Sequence, residues 1–148
     1  MGNLKINHVA VWILVVVNLI VAFLWYAPFV FGNQWMQLLG KTEEDLAAAS
    51  PLNYIVAIIT AIAMTYSLAW LFKRLNIDTT LKGLLYSLFF CVVYFFLQTI
   101  TIGLFSLRPL ALSFIDGGMY LVNFVIAGLL LGSWKKYEVA ASEVEENS

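Results

Sequence analysis

The stretch INHVAVWILVVVNLIVAFLWYAPFVFGNQW, residues 6–35, runs its whole length without an Asp, Glu, Lys or Arg. Its first part, residues 6–27, is long and apolar enough to cross about 30 Å of hydrocarbon as a helix rising about 1.5 Å per residue. A backbone in lipid must satisfy its own hydrogen bonds, so so continuous a run reads as helix and not as a barrel strand. The end of the stretch differs in kind. Residues 23–35, FLWYAPFVFGNQW, gather Trp25, Tyr26 and Trp35 around Pro28 and Gly32. Such rings settle at the boundary between lipid and water, which leaves open whether the segment anchors the chain or builds a site.

Working outward, the same pattern recurs. Charges punctuate the 148 residues at wide intervals, from Lys5 to Lys41, Asp45 to Lys73, Lys82 to Arg108 and Asp116 to Lys135. Four spanning helices follow, at about residues 6–27, 52–72, 83–105 and 114–134, making one transmembrane domain over 1–134. The expected fold class is an all-α integral membrane protein, a bundle of four transmembrane helices. The acidic remainder, 135–148, reads as a disordered tail. The first run lacks a small-residue cleavage site, so it is expected to stay as the first span and not to act as a removed signal peptide.

Composition agrees: 62% of residues are hydrophobic and 11% charged, far from a soluble domain. A formal net charge of −1 offers no basic field, so nucleic acid is excluded as a partner and the bilayer is the first one. With four crossings the two ends and the second connection share a side. That side holds Lys5, Lys73, Arg74, Lys82, Lys135 and Lys136, against Lys41 and Arg108 opposite. The bias places both termini in the cytoplasm. In the first outer connection, Thr42 followed by Asp45 resembles a capping box and predicts a short surface helix over 43–49.

In lipid, polar side chains must find a partner or face water, which makes them the informative ones. On the third helix Gly83, Ser87, Cys91, Tyr94, Gln98 and Thr101 form one stripe at helical spacing. The second helix repeats Asn53, Ala57, Ala61, Thr65 and Ala69, and the fourth carries Asn123 and the GxxxG pair Gly128 and Gly132. Small residues at this spacing let backbones approach, so Ala57, Ala61, Gly128 and Gly132 are helix-packing candidates, and self-association through the second and fourth helices is expected. Under the charge-derived orientation, Asn18, Asn53, Gln98, Thr101, Asp116 and Asn123 gather toward the outer side. Roofed by Trp25, Tyr26 and Trp35, they outline a candidate polar pocket. Asp116 is the strongest member, with Arg108 as its expected ion-pair partner.

Catalytic signatures are absent from the sequence: no GxSxG, HExxH, phosphate loop or dinucleotide fingerprint occurs. His8 has no second ligand-type neighbour in sequence, so no metal is assigned, and no cofactor is implied. Cys91 is the single cysteine and reads as a small core residue with no disulfide within the chain.

Two long segments carry a family resemblance. LWYAPFVFGNQWMQLLGKTEEDL, residues 24–46, resembles the WYxPxxFGxxW…G…EEDL segment of the bacterial domain of unknown function 1761 family. RPLALSFIDGGMYLVNFVIAGLLLGSW, residues 108–134, resembles that family's closing RPLxxxxIDxGYxL…G helix. The resemblance implies a small four-helix protein of the bacterial inner membrane, with no established activity. Two readings of function stand on the residues: an oligomer binding or transporting a small molecule or ion through an outward polar pocket, or a non-catalytic scaffold or accessory subunit.

Overall fold

A computed structural model describes residues 4–137. Four of its helical runs are long and apolar enough to span a membrane: His8–Trp25, Leu52–Arg74, Thr80–Phe105 and Leu110–Ser133. We label the elements in chain order. They are β1 (Leu4–Lys5), α1 (His8–Trp25), α2 (Asn33–Leu39), α3 (Glu43–Ala47), α4 (Leu52–Arg74), α5 (Thr80–Phe90), α6 (Leu97–Phe105), α7 (Leu110–Ser133) and β2 (Lys136–Tyr137). Wide π-helical turns at Pro28–Gly32 and Cys91–Phe96 lie between α1 and α2 and between α5 and α6.

Local chemistry sets the ends. The Asn7 side chain accepts from the Ala10 amide, and the Thr79 hydroxyl accepts from Lys82, so α1 and α5 both begin on capping side chains. The expected Thr42–Asp45 capping box forms in both directions and starts α3. At the other end of the sequence, β1 pairs antiparallel with β2, Leu4 opposite Tyr137. Asn7 also donates to the Trp134 carbonyl at 3.3 Å. These contacts hold the first described residues against the last, a tie that span counting did not anticipate. Of the expected tail, residues 138–148 lie outside the described residues.

α7 is the hub. It packs on α5, α6 and α1, and its Gly128 meets α5 so closely that a Cβ on Gly83 would sit 2.5 Å from the Gly128 carbonyl oxygen. Lipid supplies little hydrophobic drive between helices, so backbone approach of this kind is the main source of packing attraction. The GxxxG face is therefore spent inside the chain, on α5. The buried cluster Leu14, Leu68, Phe72, Ile77, Cys91, Phe124 and Ala127 fills the half of the bundle nearer the chain ends. The other half is looser: α4 is exposed on every face from residue 52 to 60.

Candidate functional site

The aromatic segment after α1 is shaped by one close approach. Pro28 starts a π-helical turn, and the Gly32 amide reaches back to the Ala27 carbonyl at 3.0 Å. A Cβ on Gly32 would lie 2.3 Å from the Tyr26 carbonyl oxygen, so no side chain fits there. α2 then carries Trp35 back beside Tyr26, ring centroids 5.2 Å apart and edge-on. Phe31 packs on Trp25 at 4.6 Å, whereas Phe29 is 80% exposed and takes no part.

The three polar aromatic edges all point to the start of α7. Trp25 Nε1 donates to the Ile115 carbonyl at 3.0 Å. Tyr26 donates its hydroxyl to Asp116 Oδ1 at 2.8 Å, and Trp35 Nε1 donates to the same oxygen at 3.0 Å. Arg108 Nη2 binds the other oxygen, Oδ2, at 3.2 Å. The expected ion pair is therefore present, with side-chain exposures of 34% and 18%, too shielded to behave as a surface pair. Holding a carboxylate in such a place costs several kcal/mol; three donors to a charged group, each contributing about 1.5–3 kcal/mol, are enough to offset it.

Arg108 is aimed by a tight turn. Its amide bonds the Gly103 carbonyl at 2.9 Å, and Leu107 takes a left-handed φ of 54° before Pro109 ends the turn. Beside the pair opens a recess of about 690 Å³, walled by Tyr26, Trp35, Tyr54, Thr99, Arg108, Asp116 and Tyr120.

Not every candidate joins it. Asn53 and Gln98 are exposed, Thr101 returns its hydroxyl to the Leu97 carbonyl at 2.9 Å, and none of the three lines the recess. For the third span the reason is the wide turn at Cys91–Phe96. It shifts the helical register, so the inward face passes from Cys91 to Phe95, Thr99 and Gly103, and Tyr94, Gln98 and Thr101 turn outward. Asn53 sits on the exposed stretch of α4, residues 52–60.

Asn18 and Asn123 form a second, separate place. With Thr65, Ala57 and Ala61 they line a cavity of about 230 Å³ between α1, α4 and α7. Asn18 Nδ2 donates to Thr65 Oγ1 at 3.3 Å, while Thr65 gives its own hydrogen to the Ala61 carbonyl at 2.7 Å. The amide oxygens of Asn18 and Asn123 are buried and accept from nothing among the described residues. Tyr120, which composition and spacing did not single out, lines both spaces. Its signal was present, since it follows Asp116 by one helical turn and Asn123 comes a turn later.

His8 lies apart from both, its Nδ1 3.2 Å from the Tyr66 hydroxyl across α1 and α4. Among the described residues, no three His, Cys, Asp or Glu side chains come together as a metal site would need.

Comparison with known families gives a match over most of the chain. The family described as "Protein of unknown function (DUF1761)" covers residues 9–132, and the chain belongs to it. No curated protein and no solved structure matches.

Proposed function

We propose that this member of the DUF1761 family is a multi-pass binding protein of the bacterial plasma membrane, with both termini cytoplasmic and an outward-facing recess that takes a small solute bearing an acidic group. One observation carries the reading. Asp116 is held by Tyr26, Trp35 and Arg108, yet Arg108 commits only Nη2 to it, so the remaining N–H groups of the guanidinium are left for a guest in the adjoining recess. The aromatic walls suit an apolar body behind the acid. The orientation rests on the lysine and arginine bias between the two sides.

Self-association belongs to the reading as well. Because Gly128 and Gly132 are spent on α5, the surface left for a second copy is the uncovered half of α4 carrying Ala57. Melting of the detergent-solubilised chain with acetate, benzoate and phenylacetate tests the site. Stabilisation by the aromatic acids, absent with their amides and absent in Arg108→Gln, is the expected result; equal melts with and without acid would sink it. The scaffold reading is favoured by the same uncovered half of α4, if its occupant is another protein. Recovery of a fixed partner from native membranes, without any solute effect, would decide for it.

A further inference from the structure

The cavity between α1, α4 and α7 is distinct from the recess at Asp116, and what it asks for is different. Thr65 has one hydroxyl hydrogen, and the Ala61 carbonyl takes it at 2.7 Å. Thr65 Oγ1 can then only accept, so the Asn18 amide must turn its NH₂ to Thr65 and leave its oxygen without a donor. Asn123 adds a second buried acceptor in the same cavity. A stranded buried acceptor costs about 1–3 kcal/mol, so the fold carries an unmet demand for hydrogen-bond donors.

Depth narrows the class of donor. Asn18 lies ten residues into α1, about 15 Å along a helix crossing about 30 Å of hydrocarbon, and Thr65 and Asn123 fall near the middles of their own spans. A charged headgroup at that depth is strongly disfavoured. Apart from Thr60 and Tyr120, the rest of the lining is apolar, including Met64, Leu68 and Phe124, and Ala57 and Thr60 are exposed on the α4 side. At about 230 Å³ the space exceeds the about 150 Å³ that admits a benzene ring.

We propose that this cavity is a binding site, entered from the bilayer, for an uncharged, mostly apolar molecule bearing a hydroxyl group, whose hydrogen is donated to the amide oxygens of Asn18 and Asn123. The proposal stands independently of the acid-binding recess.

The probe is n-decan-1-ol, compared with decyl methyl ether, which accepts but cannot donate, and with decane. All three are added at equal concentration to the full chain in detergent. The alcohol is expected to raise Tm by several degrees more than the ether or the alkane. Asn123→Leu, which removes an acceptor at similar volume, is expected to abolish that difference, and benzoate should not compete with it. A diazirine-bearing decanol should label α1, α4 and α7 peptides around Met64 and Met119, with labelling lost in Asn123→Leu and in Asn18→Leu. Equal stabilisation by alcohol, ether and alkane would make the cavity a mere apolar void. No stabilisation by any of them, with labelling scattered over the lipid-facing surface, would leave it a water site. Either result overturns the proposal.

Discussion

The Tyr26 hydroxyl and the Asp116 carboxylate stand ninety positions apart in sequence and meet at 2.8 Å. Trp35 shares the same carboxylate oxygen, so the segment following α1 is fastened to α7 through one acceptor. That sharing makes the two donors interdependent. Tyr26→Phe and Trp35→Phe should each destabilise by about 1.5–3 kcal/mol in detergent melts. The double variant should cost more than their sum, because each single loss is partly offset as the remaining donor tightens on Asp116, and the double variant loses that donor as well. Strict additivity would show the two bonds to be independent.

Gly32→Val should be worse than either. Its side chain would enter the space of the Tyr26 and Ala27 carbonyls, and overpacking of this kind costs about 1–3 kcal/mol or more. Asp116→Asn, which keeps shape but gives up the ion pair, should fall between. If Gly32→Val melts like the wild type, the π turn is not what closes the segment.

Leu107 offers the opposite sign. Its φ of 54° is the conformation glycine favours after a helix, and a side chain there costs of order 1–3 kcal/mol. At 92% exposure it repays none of this by burial. Leu107→Gly should therefore raise the melting temperature and leave the Arg108–Asp116 pair in place. A lower Tm would show that the leucine holds the turn through lipid contacts.

Acid should weaken the fold at two places outside the spans. The Asp45 carboxylate is held below the usual range by the Thr42 amide and by Lys41, and Asp78 is held there by the Lys82 ammonium at 2.6 Å. Groups whose folded pKa is depressed add stability above the unfolded value of about 3.9, and that stability is lost as pH falls through the lower folded value. Melts taken downward from about pH 6 should fall below about pH 4, and Asp78→Asn should shallow the descent. An unchanged slope in that variant would exclude the contribution.

Topology can be read with cysteine reporters, because the native Cys91 is fully buried. Under the cytoplasmic-termini reading, a cysteine at Lys41 reacts with an impermeant maleimide in intact cells, while one at Leu75 does not. The reverse pattern would overturn the orientation.

The four spans were legible in the sequence because uninterrupted apolar length has few other meanings. Asp116 with Arg108 was legible too, as the charges nearest an otherwise uncharged run. What the reading missed came from places where the helix departs from regular spacing. A stripe drawn at even steps runs Cys91, Tyr94, Gln98, Thr101; the wide turn after Phe90 moves the true face to Phe95, Thr99 and Gly103. Nothing in CVVYFF marks such a turn. The aromatic roof of Trp25, Tyr26 and Trp35 was legible as well, while Phe29 in the same run is exposed and stands outside it. The candidate pocket also divided in two, because depth along a helix groups residues that azimuth separates.

The pairing of Leu4 with Tyr137 has a consequence for biogenesis. One strand precedes the four spans in synthesis and the other follows them. At roughly 5–20 residues per second, the first waits on the order of ten seconds for its partner. The clasp needs all four of these spans in place, so fluorophores at Lys5 and Lys136 would report the arrival of the fourth and distinguish such molecules from those stalled before it.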